Sequence, residues 1–351
     1  MIVPNGPAHD ELAVIADIVT SLVAAVATLG ARAEVAGLTV LDHKPGRRTV
    51  LGVGLARSVV LRDGDGLTTD RLFAKVFADE RLGASAHETL TLLWDRTRAG
   101  DASFGLPQPL VFRDRPAVLL VGAVHGTPLT DAVPAGSVLA AGGPSDRERW
   151  AALGRWMARL HTSDAPLPRR YDIGAELRTL RAWSSEIADA GAPRGLVDRY
   201  DAIVERAADE ARPTDAAGCS STSSMRGPIH RDLHHEHAFV NAAGSVGVID
   251  LDEARIGDPH TDLGHVYAYL TLASLAPTSV TAVFDGWRDA TGDTIVPGAM
   301  SSATALACAK IARQRSCGFG PAPRPTGIER WREATRALDL ATEALRAGIA
   351  V

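Results

Sequence analysis

The chain has 351 residues, 46% of them hydrophobic and 23% charged, and its 37 Lys and Arg against 42 Asp and Glu give a formal net charge of −5. These are ordinary globular values that exclude global disorder, and the absence of a basic excess removes the electrostatic basis of non-specific nucleic-acid binding. At roughly 100 to 200 residues per domain, two domains are expected.

Cys219, Cys308 and Cys317 are odd in number and form no CxxC pair, which favours a reducing compartment over a disulfide framework. The opening MIVPNGPAHDEL has no cationic start before an apolar core, so no secretory signal is expected. From Ala13 to Ala31 the large apolar residues Ile15, Ile18, Val19, Leu22, Val23, Val26 and Leu29 fall at helical spacing, and Asp17 and Thr20 interrupt them. That pattern is an amphipathic helix of a soluble protein rather than a membrane span. A cytoplasmic location follows, with neither membrane nor nucleic acid as partner.

Strands are expected at Leu38–His43, Thr49–Val53 and Arg57–Leu61, broken by Pro45-Gly46 and by Asp63-Gly64-Asp65-Gly66. Leu72 to Phe77 alternates as a further strand and sets Lys75 inside an apolar run. Ser85 to Arg96 reads as a helix with Leu90, Leu93 and Trp94 on one face, and Val118–Val121 as a buried strand. Gly122, Gly126 and Pro128 then suggest a connector.

Beyond it the periodicity turns helical at 146–161, 173–190, 196–211, 260–273, 280–290, 301–316 and 327–347. Pro213 to Pro228, PTDAAGCSSTSSMRGP, has no hydrophobic period and reads as a flexible insertion. Directly after it comes the richest stretch, Ile229 to Leu263. Ala238–Val240 and Val246–Ile249 flank the turn-forming Asn241-Ala242-Ala243-Gly244-Ser245 and look like a β-hairpin, entered by a loop carrying Asp232 and left by Asp250. Loop, strand, turn and strand suffice to bring the chain back beside its start, so two carboxylates could face one site.

A lysine in a strand (FAKVF), a glutamate in the next helix (HETLTLL), an H-x-D loop (HRDL) and a strand ending in Asp (VIDLDEA) together resemble the aminoglycoside phosphotransferase family of the protein-kinase-like fold. The resemblance covers about Leu38 to Leu272. It implies an α+β chain of two lobes: a small, mainly antiparallel, nucleotide-binding lobe over 1–121 and a larger, mainly helical lobe over 122–351 with the catalytic loop and acceptor-binding helices. It further implies transfer of the γ-phosphate of ATP or GTP to a hydroxyl, with Mg2+ or alternatively Mn2+.

By the resemblance Asp232 accepts the hydroxyl proton and Asp250 coordinates magnesium, a cation that prefers oxygen ligands. Lys75 contacts the nucleotide phosphates and pairs with Glu88, although Ser85-Ala86-His87-Glu88 also fits a capping box that would commit Glu88 to its own helix. No G-x-G-x-x-G covers the phosphates. The basic turn from His43 to Arg48 takes its place, where Lys44, Arg47 or Arg48 could approach phosphate or simply face water. Val121 to Val124, with Val121 and Ala123 foremost, would form the hinge that reads adenine through its backbone. His230 is expected to pack beneath the catalytic loop, and Asp258 and Asp262 to anchor loops through backbone N–H groups. Asp252 is undecided between supporting the metal ligand and facing solvent.

The chief departure is His237, where the family pattern H-x-D-x4-N has an Asn that holds the metal. Imidazole is a poorer ligand for magnesium than an amide oxygen and suits transition metals better. An active kinase, a slow or specialised one, and a nucleotide-binding pseudokinase all fit that change. A zinc hydrolase is disfavoured, because HHEH lacks the helical H-E-x-x-H spacing.

The acceptor is expected between the loop of Asp232 and the helical segments from Tyr171 to Ala211 and beyond Ser301. Glu176, Glu186, Asp189 and Asp198 could receive a cationic one, but Arg169, Arg170, Arg178 and Arg181 decorate the same region. A hydroxyl-bearing small molecule, a natural-product intermediate, or a Ser or Thr of a ribosomal peptide precursor processed with a partner lyase all remain open.

Overall fold

The computed structural model describes residues 9–26, 33–61, 68–97, 104–130, 145–210, 226–318 and 326–349. The Asp63–Gly66 break, Cys219 and all but the last three residues of the 213–228 segment lie outside them. The chain divides into two units, Met1–Gly126 with Gly247–Asp252, and Thr127–Val246 with Glu253–Val351. The segment 247–252 thus returns to the first unit, which a boundary placed after residue 121 does not anticipate.

In the first unit α1 (His9–Ala25) precedes three long strands, β1 (Val35–Lys44), β2 (Arg48–Val60) and β3 (Thr68–Phe77). Then come α2 (Glu80–Thr97), β4 (Phe104–Gly105), β5 (Pro109–Arg113) and β6 (Ala117–Gly122). Five strands form an antiparallel sheet in the order β1-β2-β3-β6-β5. The β1–β2 turn closes through Arg47 N–H to Lys44 O at 2.9 Å, with Gly46 at φ 67, a left-handed conformation that costs glycine nothing. The two strands expected at 49–53 and 57–61 are one strand, β2, whose register against β3 shifts between Gly54 and Val59. That local irregularity absorbs the residues that read as a break.

Alternation along β3 decides what faces the site. Leu72 and Ala74 are fully buried, in the same core as Ile15, Val19 and Val23 of α1. The intervening Phe73 and Lys75 therefore point to the opposite face. Each fully buried valine of α1 contributes about 1.5–3 kcal/mol by leaving water, so the stripe read from the sequence is what holds α1 on the sheet. The helix α2 starts at Glu80, five residues before the expected start, and buries Leu90, Leu93 and Trp94.

The second unit begins with β7 (Thr127–Pro128) and continues through α3 (Asp146–Thr162), α4 (Ile173–Asp189), α5 (Arg194–Glu210), β8 (Gly227–Ile229) and β9 (Ala238–Val240). After β10 (Val246–Val248), which crosses the division between units, follow β11 (Arg255–Gly257), α6 (His260–Leu272), α7 (Pro277–Thr291), α8 (Pro297–Ser316) and α9 (Gly327–Ala347). The turn between β9 and β10 closes through Asn241 N–H to Ser245 O at 3.0 Å, with the Asn241 side chain accepting from the Ala243 and Ser245 N–H groups. An asparagine that folds its amide onto the following backbone fixes such a turn locally.

Helix α3 starts with a full capping box between Ser145 and Glu148. It packs against α7 at glycine contacts so close that a Cβ on Gly154 would lie 1.9 Å from the Val283 carbonyl oxygen, and one on Gly286 2.1 Å from that of Ala151. The remaining core joins α4, α5, α6, α8 and α9 through residues such as Leu180, Tyr200, Val204, Ala309, Ala312, Leu338 and Ala341. Its many alanines let these helices approach closely. Among the described residues no helix is long and apolar enough to cross a membrane.

Candidate active site

In the first unit two cations and two carboxylates meet. Lys75 Nζ donates to Asp250 Oδ1 and Asp252 Oδ1, each at 2.7 Å. Arg48 Nη1 donates to Asp250 Oδ1 at 2.9 Å and Asp252 Oδ2 at 2.7 Å, and its Nη2 to Asp250 Oδ2 at 2.8 Å. All four carboxylate oxygens are engaged, and the four side chains are only 14 to 17% exposed. Burial works against the Lys75 ammonium, but Asp250 and Asp252 outweigh it and hold its pKa above that of an ordinary lysine. Arg48 is raised likewise, burial again being outweighed by Asp250 and then Asp252.

Sheet register explains the meeting. Val50 stands opposite Lys75 and Arg48 opposite Phe77, so Arg48, two residues from Val50, shares the face of Lys75. Asp250 sits at the end of the returning segment with φ 66, a left-handed conformation that Asp tolerates better than most residues.

This geometry corrects the partner assigned to Lys75. The lysine pairs with Asp250 and Asp252 instead of Glu88, which is exposed on α2. Nor does Ser85 cap a helix, because it lies inside α2. Placing the helix start at Ser85 made Glu88 look like a first-turn residue, whereas α2 begins at Glu80. Of the basic turn, Lys44 is exposed, 3.7 Å from Asp42 Oδ2, and Arg47 is also exposed. Arg48 is the member that reaches the carboxylates. Val121 is buried in β6, opposite Phe73 of β3 and Pro109 of β5, and Gly122 N–H donates to Gln108 O at 2.8 Å. The backbone beyond the sheet therefore starts at Ala123.

In the second unit the loop from His230 to His237 links β8 to β9. Asp262, fully buried on α6, fixes its start by accepting from His230 N at 2.7 Å, Arg231 N at 2.6 Å and His161 Nε2 at 3.0 Å. The histidine tautomer follows from its other nitrogen: Trp287 Nε1, which can only donate, lies 2.9 Å from His161 Nδ1. His161 therefore carries its proton on Nε2 and donates it to Asp262. Burial opposes the Asp262 charge, but the hydrogen bond from His161 and then that from the His230 backbone outweigh it and hold its pKa below the usual carboxylate value.

Arg231 has φ 74, a conformation that costs a side-chain-bearing residue about 1–2 kcal/mol. Its guanidinium pairs with Glu176 of α4 and, at 2.9 Å, with Glu253. Lys310 of α8 completes the cluster, 3.5 Å from Glu176 and 3.3 Å from the Arg231 carbonyl oxygen. Glu176, considered above as a receptor for a cationic acceptor, is thus buried and committed to the loop. Glu186 is engaged as well, with Arg313.

Asp232 follows Arg231, with its side chain 39% exposed and Oδ1 4.0 Å from Nε2 of His265. His265 is buried, and burial and then Lys310 push its pKa well below the ordinary value, so the ring is neutral. The His230 ring lies under the loop, accepting from Asp232 N–H at 3.3 Å. His237 Nδ1 lies 3.0 Å from the Asp232 carbonyl oxygen. A carbonyl can only accept, so Nδ1 carries a proton. The ring packs on His234 at a centroid distance of 3.6 Å.

Among the described residues no group of three or more His, Cys, Asp or Glu side chains is disposed to hold a metal. The carboxylate pair Asp250 and Asp252 nonetheless supplies the hard oxygen donors that magnesium takes. Asp252 and Arg48 were the residues least legible in sequence. For Arg48 the available signal is its two-residue spacing from Val50 in one strand, and only the register against β3 puts it on the face of Lys75.

A search of curated proteins returns no match. Among solved structures, the chain resembles a choline kinase from Cryptosporidium parvum Iowa II at 10% identity and a TM-score of 0.63, covering 94% of this chain and 96% of that one. It resembles the spectinomycin phosphotransferase APH(9)-Ia, solved with ADP and spectinomycin, at 11% identity and a TM-score of 0.57, over 93% of this chain and 97% of that one. It also resembles APH(2")-IIia in its GDP and kanamycin complex, at 14% identity and a TM-score of 0.57, over 93% and 98%. At such identities the likeness establishes the fold, α+β and protein-kinase-like, with an antiparallel amino-terminal sheet and a mostly helical remainder. The sequence model of the phosphotransferase enzyme family, APH, matches residues 48–293, more than half of the chain and a span that holds Arg48, Lys75, Asp232 and Asp250. The chain therefore belongs to the APH phosphotransferase enzyme family.

Proposed function

We propose that this protein transfers the γ-phosphoryl group of ATP or GTP to a hydroxyl of a small molecule. The observation that carries the reading is the contact of Lys75 with Asp250, 2.7 Å apart across 175 residues of sequence. A buried lysine on a strand and an aspartate just beyond a hairpin strand are what phosphate binding and metal binding respectively need. In the reaction the bond from the γ-phosphorus to its bridging oxygen breaks and the bond to the acceptor oxygen forms. Asp232 takes the hydroxyl proton, a role suited to a half-exposed carboxylate beside a neutral histidine. Lys75 binds nucleotide phosphate, and Ala123 offers backbone groups to the base. Asp250, with Asp252, would hold Mg2+ or Mn2+, and the cation when bound supplies charge neutralisation on the transferring phosphates. His237 orients the loop through the Asp232 carbonyl.

The engagement of Glu176 and Glu186 by the chain's own cations favours an uncharged or weakly charged acceptor over a polycation. The test is nucleoside diphosphate release with Mg2+ and with Mn2+ across hydroxylated small molecules and Ser- or Thr-containing peptides. Acceptor-dependent release that falls about 10²- to 10⁴-fold in Asp232→Asn supports the reading, that range being the usual worth of a general base. Release only with peptides would move the acceptor to a peptide precursor and a lyase partnership. Nucleotide binding without release for any acceptor would identify a pseudokinase, and release unaffected by Asp232→Asn would remove the base assignment.

A further inference from the structure

The cluster in the first unit pairs its cations and carboxylates one for one, with Asp42 as a further negative charge acting on Arg48. Arg48 and Lys75 bring two positive charges to the two negative charges of Asp250 and Asp252, joined by hydrogen bonds of 2.7 to 2.9 Å. A bare divalent cation added to that paired, largely buried set would leave an excess of positive charge beside Arg48 and Lys75, in a partly desolvated place where like charges repel strongly. A nucleoside triphosphate carries more negative charge than the metal brings positive, so the two together do not.

One of the two protein cations is also placed to leave. Lys75 lies inside β3, with Val50 of β2 on one side and Leu119 of β6 on the other. Arg48 is the first residue of β2, directly after the turn at Pro45–Arg47, and carries the longer side chain. Its Nε–H is buried with no hydrogen-bond acceptor. A buried donor left unmet costs free energy, so the present arrangement does not use the whole guanidinium. Phosphate oxygens match that fork in bidentate fashion and better than an ammonium does.

We infer that Arg48 is the resident counter-ion of the metal-binding carboxylates: it keeps a bare divalent cation off Asp250 and Asp252 and yields them when the cation arrives with a nucleotide, whose phosphates take the guanidinium. This rests on the assignment of Asp250 to the metal under the proposed function. It makes Arg48 a positioning residue that sets the order of binding, with metal entering as its nucleotide complex.

The experiment measures Mn2+ binding to the nucleotide-free full chain by electron paramagnetic resonance, and binding of metal-free ATP by calorimetry, for wild type, Arg48→Gln and Arg48→Lys. Arg48→Gln is expected to bind Mn2+ about tenfold more tightly or better, the equivalent of one competing charge-assisted hydrogen bond, and to bind metal-free ATP about tenfold more weakly. Arg48→Lys, whose shorter side chain ends in one nitrogen where the fork holds three carboxylate oxygens through two, should bind Mn2+ more tightly than wild type as well. It provides the reading should Arg48→Gln fail to fold. Mn2+ affinity no tighter than wild type in whichever of these variants folds overturns the counter-ion role. Unchanged binding of Mn2+ with ATP in Asp250→Asn overturns the metal assignment beneath it, and because that variant leaves Arg48 in place the two failures are told apart.

Discussion

Asp262→Asn is the substitution whose cost can be worked most fully from geometry. Asp262 Oδ2 accepts from both His230 N and His161 Nε2, and Oδ1 accepts from Arg231 N. An asparagine oxygen can replace only one carboxylate oxygen. In the better orientation it serves His230 and His161, and the new amide N–H groups face Arg231 N–H, donor against donor. His161 cannot relieve the conflict by changing tautomer, because its Nδ1 is held as an acceptor by Trp287. One hydrogen bond is lost and buried donors are left unmet at about 1–3 kcal/mol each, for a total of about 3 kcal/mol. At about 2–4 °C per kcal/mol for a unit of this size, the thermal midpoint should fall by about 6–12 °C. Tryptophan fluorescence is the appropriate probe, since five of the six tryptophans lie in the second unit. The pH dependence gives a second check. The folded pKa of Asp262 is depressed, so its contribution is present above the unfolded value of about 3.9 and is lost as pH falls through the folded value. The gap between wild type and variant should therefore narrow from pH 5 to pH 3. A drop below 2 °C at pH 7, or a gap that does not narrow in acid, would refute the reasoning. Because Asp262 holds the two N–H groups just before Asp232, kcat should also fall, by up to about 10²-fold for a displacement of about 1 Å.

Arg231→Gly would relieve about 1–2 kcal/mol of left-handed backbone strain, but it leaves buried Glu176 with Lys310 alone, and breaking a buried pair costs about 3–5 kcal/mol. The expected net loss is about 2–3 kcal/mol by chemical unfolding at neutral pH, partly recovered in the double variant with Glu176→Gln; a stabilised Arg231→Gly would contradict this account. Gly154→Ala drives a methyl into the Val283 carbonyl of α7 and should cost about 3 kcal/mol or more, whereas Gly195→Ala in α5, with nothing within 4 Å, should be neutral or gain up to about 1 kcal/mol in the same measurement. Equal effects of the two alanines would rule out backbone contact as the reason for glycine at 154.

Most helices were legible because each carries a stripe that only burial satisfies: the expected 327–347 agrees with α9, and the expected 146–161 and 173–190 differ from α3 and α4 by one residue at one end. Reading failed where the local signal was shared by two structures. The strands expected at 49–53 and 57–61 leave Gly54-Leu55-Ala56 between them, but the chain continues through as one strand because the flanking strands supply hydrogen bonds. A lysine inside an apolar run announces that it needs a partner without saying which carboxylate provides one. Glu88 was nearer in sequence, and Asp250, 175 residues away, is the partner.

Order and spacing of FAKVF, HRDL and VIDLDEA by themselves determined the family, because they are constraints of chemistry written along the chain. Tertiary structure alone decided how the charges are shared: Arg48 and Lys75 on one sheet face against Asp250 and Asp252, and Arg231 between Glu176 and Glu253. Pairing among buried charges is settled by which side chains are brought within a few ångströms in a place that water does not screen, and that is a property of strand register and helix packing rather than of sequence separation.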